Sequence, residues 1–331
     1  MAFYESFFQS QYPFAKMDSI FMPDFAWGAM EFPAAVTYNE SLVPMRENNV
    51  LEVSRRGHVF LHELSHMWFG NLVTMQWWNN LWLNESFAEF VCHKAFDAIY
   101  RELSFKTVIP WVSFQCSKCR GYKEDQLPST HPIAGEVVDT QVACSIFDGI
   151  TYQKGSSVLK QLMCIIGVDT FSKSCQKYFE KYAWSNTTLE DLLAEFDLQL
   201  KSQGSDIDVF EWKEDWINKA GLNWIKYEAN QAEQKPYLHQ GACLEAYPTL
   251  RTHFLNVAYF DDEAQVIHVD SVKTERGERT YLKACQLEVV GVLPNYEVRH
   301  YLPRTRASSW SSSMTSLLSS SLPPTRRSQT P

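Results

Sequence analysis

The most constraining stretch of the chain is His62-Glu63-Leu64-Ser65-His66. On an α-helix, positions i and i+4 lie on the same face, so both imidazoles can reach one metal ion. Glu63 follows the first histidine and can lean over the same site. Zinc in hydrolases takes three protein ligands and leaves a fourth position open for water. The pattern therefore predicts a helix, over residues 52–69, that carries two zinc ligands and a neighbouring carboxylate.

Glu85 is the candidate for the third ligand. It lies nineteen residues after His66, a spacing that suits a helix, a turn and a second, antiparallel helix over 84–100. Glu85 is then expected in the first turn of that second helix, and Glu89 one turn later faces the same way. Two interpretations stay open for Glu89: a carboxylate that orients a ligand histidine, or a partly exposed helix carboxylate. The prediction is one Zn²⁺ per chain.

Three motifs together resemble a known family. The segments HELSHMWFGNLVT (residues 62–74) and WLNES (residues 82–86) are similar to those of the zinc aminopeptidases of the alanyl aminopeptidase (aminopeptidase N) family, which are gluzincins. Upstream, GAMEF (residues 28–32) resembles the family's Gly-x-Met-Glu-Asn exopeptidase motif. Downstream, YQKG (residues 152–155) resembles the family's Tyr-x-Lys-Gly. Their order and separations suit the family as well.

The resemblance implies hydrolysis of the N-terminal bond of a peptide at a zinc ion. It implies that His62, His66 and Glu85 are the zinc ligands and that Glu63 is the general base, which the spacing also indicates. It further implies that the phenol of Tyr152 donates a hydrogen bond towards the developing oxyanion. The implied cofactor is zinc, and the implied partners are peptides with a free N-terminus.

The segment Gly28-Ala29-Met30-Glu31 is the predicted substrate-binding segment. Residues 26–38 have the pattern of an edge strand and a turn, and Gly28 would let the backbone come close to an extended peptide. Such a peptide would gain the hydrogen bonds of a strand. The resemblance implies that Glu31 holds the free α-ammonium group. The family's last motif residue is Asn, whereas this chain has Phe32, which puts the polar contact usually made there in doubt.

The sequence predicts an α+β protein. Residues 1–225 are predicted to form a mainly helical catalytic domain, thermolysin-like by the resemblance, and alternating segments over 226–297 predict a small antiparallel β-sandwich domain. Residues 298–331 are rich in Ser and contain no Asp or Glu, so we expect a disordered tail that is not native family sequence. Because the family usually carries further domains on both sides, we expect a truncated chain.

Composition and charge exclude other classes of protein. The 331-residue chain has a formal net charge of −9, which argues against a nucleic-acid partner. No apolar run approaches the roughly 20 residues of a membrane span, and the N-terminus lacks the pattern of a signal peptide. The eight cysteines are interpreted mostly as buried free thiols in a reducing compartment, which predicts a cytoplasmic location. Nothing in the sequence indicates the oligomeric state.

Two other functions stay open beside the aminopeptidase. A thermolysin-like endopeptidase would use the same zinc site without a clamp for the amine, and would therefore cleave N-acetylated peptides. A truncated chain that lacks flanking domains would bind zinc or peptide without turnover. The sequence leaves the side-chain preference undetermined.

Overall fold

The computed structural model describes residues 1–43, 50–102, 110–230, 235–283, 289–298 and 300–302. The chain divides into two compact units, Met1–Gly221 and Leu222–Pro331. The predicted domain boundary after residue 225 lies close to this division, and the assignment of the two units as functional domains stays a prediction. Most of the predicted tail and Cys285 lie outside the described residues.

The first unit is mainly helical. Its helices are α1 (Ala2–Phe8), α2 (Val50–His66), α3 (Leu81–Glu102), α4 (Pro110–Glu124), α5 (Thr140–Ser145), α6 (Gly155–Ile166), α7 (Val168–Tyr182), α8 (Leu189–Ser202) and α9 (Val209–Trp216). Helix α3 packs against α2 and α6, and every side chain from Trp82 to His93 is buried. A helix that is buried on all its faces lies in the interior of a domain. None of the described helices combines the length and the apolar character that crossing a bilayer requires.

Two small sheets complete the first unit. Strands β1 (Asp18–Met22), β2 (Ala29–Met30) and β3 (Ala35–Asn39) form a sheet in the order β1-β3-β2. β1 pairs with β3 in parallel, and β2 pairs with β3 antiparallel, so β2 is an edge strand within the segment where the sequence predicts one. Strands β4 (Val73–Met75) and β5 (Ser185–Thr187) form a parallel pair.

The helices that carry the central motif differ from the sequence prediction at their ends. Helix α2 ends at His66 rather than at 69, because the next amides bond three residues back, Met67 to Leu64 and Trp68 to Ser65, as in a 3₁₀ turn. Helix α3 begins at Leu81 rather than at 84, directly after a short 3₁₀ turn over Trp78–Asn80. Glu85 is therefore the fifth residue of α3, and its predicted place in the first turn is wrong.

The second unit consists of β-strands and one 3₁₀ turn, Tyr296–Val298, within the described residues. The strands are β6 (Asn223–Asn230), β7 (Lys235–Ala242), β8 (Phe254–Phe260), β9 (Val266–Lys273), β10 (Arg279–Tyr281) and β11 (Gly291–Leu293). They form two three-stranded sheets in the orders β10-β7-β6 and β11-β8-β9, and every pairing is antiparallel. This confirms the predicted antiparallel strands after about residue 226.

The first residues of the predicted tail are packed in the second unit. His300, Tyr301 and Leu302 are buried, and Leu302 belongs to the apolar cluster that contains Leu255 of β8. Nε2 of His300 accepts a hydrogen bond of 3.2 Å from the backbone amide of Phe254. The prediction of disorder from residue 298 onwards is therefore wrong for these three residues, because their apolar and imidazole groups have partners in the core.

The described cysteines are free, but most of them are not buried. Among these residues only Cys92 and Cys175 are buried, whereas Cys116, Cys119 and Cys144 are exposed. Cys116 and Cys119 lie one turn apart on helix α4 and therefore share one face of it. The prediction of mostly buried thiols is wrong, because composition says nothing about which face of a helix a cysteine occupies.

Candidate metal centre and active site

Helices α2 and α3 bring the three predicted ligands together. Nε2 of His62 lies 3.3 Å from Oε2 of Glu85, and Nε2 of His66 lies 3.8 Å from the same oxygen. The centroids of the two imidazole rings are 4.8 Å apart. The helical spacing within α2 aligns the histidines, and the packing of α3 on α2 adds the carboxylate.

The other nitrogen of each histidine is already engaged. Nδ1 of His66 lies 3.1 Å from the carbonyl oxygen of Phe69, and Nδ1 of His62 lies 3.5 Å from Oε2 of Glu89. A proton on Nδ1 satisfies both contacts and leaves the Nε2 lone pair of each ring on the side of Glu85. This arrangement, in which a second group orients a ligand histidine, is usual at metal sites.

Glu89 is thus buried rather than partly exposed. The residue is 5% exposed. Its carboxylate lies against His62 and 3.3 Å from Nε2 of His58. The interpretation of Glu89 as a partly exposed helix carboxylate is therefore wrong. The remaining interpretation, a carboxylate that orients His62, agrees with the contact of 3.5 Å.

Glu63 is buried beside the three candidate ligands, and one oxygen of its carboxylate, Oε2, has no hydrogen-bond partner within the described residues. Glu63 can join Glu31 and His66 in a second group of possible ligand atoms that lie within 4.8 Å of one another. Burial raises the pKa of Glu63 to about 7, although the neighbouring His62 and His66 act in the opposite direction. A carboxylate with a pKa near 7 is suited to accept and return a proton.

Glu31 is held next to the histidines by two contacts that the sequence did not suggest. The side-chain amide of Asn84 donates a hydrogen bond of 3.1 Å to Oε1 of Glu31. The side-chain amide of Asn71 donates one of 2.8 Å to the backbone carbonyl of Glu31. The same Oε1 lies 3.9 Å from Nδ1 of His66. The adjacency of Asn84 to Glu85 in the WLNES motif was the one signal that could have indicated its role.

The rest of the predicted substrate-binding segment forms the edge strand and the residue before it. Ala29 and Met30 pair with Tyr38 and Thr37 of β3, and the carbonyl of Gly28 accepts a hydrogen bond of 2.9 Å from the amide of Asn39. A side chain at Gly28 would meet nothing within 4 Å. Open space beside an edge strand leaves room for an extended peptide.

Phe32, the departure from the family motif, is an exposed side chain next to Glu31. It is 51% exposed, and the nearby Trp27 is 55% exposed. An exposed aromatic ring cannot reproduce the hydrogen bonds of an asparagine amide. The difference therefore replaces a polar group by apolar surface on the segment that carries Glu31.

Tyr152 lies on a π-helical turn, Ile150–Lys154, that leads into α6. Its phenol lies close to the carboxylate of Glu85, and burial together with that carboxylate raises the pKa of Tyr152. Its ring centroid is 6.5 Å from that of His62. Tyr152 is therefore protonated at neutral pH and lies beside the candidate ligands, although the π-helical turn itself was not predicted.

Close packing attaches this turn to α3. The hydroxyl of Ser86 donates a hydrogen bond to the carbonyl of Thr151, and a Cβ atom at Gly155 would lie 1.9 Å from the Ser86 hydroxyl oxygen. Only glycine permits this approach. Nζ of Lys154 forms a buried ion pair of 2.9 Å with Asp125, so Lys154 anchors the turn. These contacts set the position of Tyr152 relative to Glu85.

The ligand atoms suit a zinc ion. Two imidazoles and one carboxylate are a common ligand set of catalytic zinc. Bonds of about 2.0–2.1 Å to a tetrahedral ion separate donor atoms by roughly 3.3–3.4 Å, and the donors of His62 and Glu85 are 3.3 Å apart. The unpartnered buried oxygen of Glu63 lies beside this set, where a water molecule would satisfy it.

Comparison with known proteins gives consistent matches. Residues 1–216 match the Peptidase family M1 domain. The chain is 37% identical over 294 residues to an aminopeptidase N of Streptomyces lividans. The aligned residues make up 83% of this chain and 32% of that protein. It is 36% identical over 248 residues to aminopeptidase M1-A of Oryza sativa subsp. japonica, an alignment that covers 73% of this chain and 27% of that protein. It is 36% identical over 226 residues to a leucyl aminopeptidase of Saccharolobus solfataricus, an alignment that covers 68% of this chain and 28% of that protein. The chain spans about a third or less of the length of these relatives.

Proposed function

Because the chain belongs to peptidase family M1, we propose that it carries the catalytic centre of a zinc-dependent aminopeptidase, which removes residues from the N-terminus of peptides. The observation that carries this proposal is the adjacency of two groups. His62, His66 and Glu85 can hold a metal ion, and the carboxylates of Glu31 and Glu63 lie against the same His66. The names of the relatives, each an aminopeptidase, support the same class.

Each residue of the site has its own role in the proposed reaction. We assign His62, His66 and Glu85 as the zinc ligands. A zinc ion in this position supplies a Lewis acid that polarises the scissile carbonyl and lowers the pKa of an attacking water. Glu63 accepts the proton of that water and passes it to the nitrogen of the leaving amine, which agrees with its raised pKa of about 7.

Tyr152 supplies a hydrogen-bond donor for the reaction. Its phenol keeps its proton at neutral pH because burial and Glu85 raise its pKa. In the proposed reaction the hydroxyl donates a hydrogen bond to the oxygen of the scissile carbonyl, where negative charge develops. A donor already in place stabilises that charge without reorganisation.

Glu31 gives the proposed enzyme its preference for N-termini. Asn84 orients its Oε1 through a hydrogen bond, and Glu31 directly follows the edge strand β2. An α-ammonium group paired with this carboxylate sets the scissile bond one residue away, next to Glu63. Gly28, Ala29 and Met30 contribute backbone along which the first residues of the peptide lie.

The finer description of the fold belongs to the same proposal. We infer a thermolysin-like arrangement for the first unit, supported by the α2–α3 pair that carries the ligands. We infer a β-sandwich for the second unit, because one buried apolar cluster combines Ile225 and Leu238 of one sheet with Val257 and Val292 of the other. Two sheets that share a core in this way form a sandwich.

The proposal is tested by hydrolysis of aminoacyl anilides and their N-acetylated counterparts, with and without a chelator. We expect chelator-sensitive cleavage of the free amines only. Cleavage of the acetylated substrates would indicate an endopeptidase instead. Zinc binding without turnover on any substrate would indicate an inactive remnant, and either result contradicts the proposal.

A further inference from the structure

A second cluster of possible metal ligands lies behind the candidate zinc site. It consists of His58, Glu89, Cys92 and His93, each of which can offer one ligand atom, and these atoms all lie within 4.8 Å of one another. His58 is one turn before His62 on α2, and the other three lie on α3, beyond Glu85. The α2–α3 contact that assembles the first site therefore assembles this cluster as well.

Three members of the cluster, Glu89, Cys92 and His93, are enclosed by the protein, whereas the side chain of His58 is 27% exposed. Cys92 is 0% exposed and His93 is 1% exposed, and the rings of His58 and His93 meet edge to face with centroids 4.6 Å apart. Glu89 contacts His58 at 3.3 Å. An imidazole, a thiol and a carboxylate are rarely buried together unless each finds a partner.

One ring nitrogen of His93 has a partner and the other has none within the described residues. Its Nδ1 lies 3.0 Å from the backbone carbonyl of Glu89, one turn back on the same helix. A proton on Nδ1 satisfies this contact and leaves the lone pair on Nε2. That Nε2 is buried and has no hydrogen-bond partner within the described residues. A buried acceptor without a partner costs free energy, and a cation bound to it would remove the cost.

Nε2 of His58, by contrast, has a carboxylate beside it. This nitrogen forms no hydrogen bond of acceptable geometry, although Oε2 of Glu89 lies 3.3 Å away. That separation matches the roughly 3.3–3.8 Å expected between donors bound at about 2.0–2.3 Å to one tetrahedral ion. The widest separation of the four ligand atoms, at most 4.8 Å, would have to shorten by about 1–1.5 Å for them to surround an ion.

We propose that His58, Glu89, Cys92 and His93 form a second, closed site for a divalent transition-metal ion, with zinc as the best-suited ion. Four protein ligands with a thiolate and imidazoles are characteristic of structural zinc sites. The site differs in chemistry from the first, which contains no sulfur ligand. Glu89 joins the two, because its Oε2 also lies 3.5 Å from Nδ1 of His62.

The test uses cobalt as a spectroscopic probe of the whole chain. The purified protein is stripped with a chelator and titrated with Co²⁺ while bound metal and absorbance are followed. We expect two ions per chain and a near-ultraviolet sulfur-to-cobalt charge-transfer band. One ion per chain without a thiolate band would overturn the proposal, and the four side chains would then be a hydrogen-bonded network alone.

Three variants assign the band to its site. In Cys92→Ser we expect loss of the band and one ion per chain; the serine hydroxyl can keep the hydrogen bond that Cys92 donates to the carbonyl of Glu89. Cys175→Ser, a matched control at another buried thiol, should keep the charge-transfer band and bind two ions per chain. His66→Ala should lose one ion and keep the band. A band that survives Cys92→Ser would overturn the assignment.

Discussion

The side-chain amide of Asn84 donates a hydrogen bond of 3.1 Å to Oε1 of Glu31. Asn84 precedes the candidate ligand Glu85 on α3, whereas Glu31 follows the edge strand β2. This bond therefore fixes the carboxylate proposed to bind the substrate amine relative to the proposed metal centre. It also leaves the second oxygen of Glu31 available for a ligand.

Glu31→Gln should weaken the recognition of free N-termini. A charge-assisted hydrogen bond contributes about 1.5–3 kcal/mol, so kcat/KM for aminoacyl anilides should fall roughly 10- to 100-fold. Steady-state kinetics on the anilides and their acetylated counterparts measures this. Glu40→Gln, at an exposed carboxylate near the same sheet, is the control. Unchanged kinetics in Glu31→Gln would refute the assigned role.

Glu63→Gln should abolish most of the turnover while zinc remains bound. The amide has nearly the same shape but cannot accept the proton of water, and general-base catalysis contributes about 10²- to 10⁴-fold. The measurements are kcat and metal content of the same preparations, with the exposed Glu52→Gln on the same helix as control. Full activity in Glu63→Gln would show that another group is the base.

Tyr152→Phe should lower kcat more than it raises KM. The variant keeps the ring and removes the hydroxyl, and loss of one oxyanion donor costs about 10²- to 10³-fold in kcat. Tyr182→Phe, which removes a partly buried phenol bonded to Asp191, serves as the control. An effect confined to KM would assign Tyr152 to substrate binding instead.

Lys154→Met should destabilise the first unit. Lys154 and Asp125 form an ion pair of 2.9 Å in which both side chains are 0% exposed. Removal of one partner from such a pair costs about 3–5 kcal/mol, because the other charge stays buried. Urea unfolding measures the loss. The double variant Lys154→Met with Asp125→Leu should recover much of it, and a single variant as stable as the parent would contradict the argument.

The contact between His131 and Asp148 should make stability depend on pH. A hydrogen bond of 2.8 Å from His131 raises the pKa of His131 above 6.5. Burial opposes the charge of Asp148, but the hydrogen bonds from His131 and from the Thr151 amide outweigh it and lower the pKa of Asp148 below 3.8. The histidine contribution is complete below pH 6.5 and lost as pH rises through its folded pKa. The aspartate contribution is present above pH 3.8 and lost as pH falls further.

The pair therefore stabilises the protein most between about pH 4 and 6.5. Because both side chains are about a third exposed, the effect should be at most about 1 kcal/mol. The difference in urea midpoint between the parent and His131→Gln should be largest near pH 5.5 and smaller at pH 8. A difference independent of pH would exclude the ion pair as its source.

Much of the candidate site could be predicted from the sequence, because it depends on local geometry. The spacing of His62 and His66 aligns their rings on any α-helix. The capping box of Thr188 and Asp191 at the start of α8 is local in the same way, since such a cap involves residues only three positions apart. The antiparallel strands of the second unit follow in the same way from alternating side chains.

The tertiary structure decided the contacts between groups that are distant along the chain. The hydrogen bond from Asn84 to Glu31, the burial of Glu89 and the meeting of His58 with Cys92 and His93 depend on how α3 packs against α2 and the β2 segment. Helical spacing places a side chain on a face but does not say what covers that face. The sequence by itself therefore determined the ligand spacing and the strand pattern, whereas packing decided which carboxylates, amides and thiols surround the ligands.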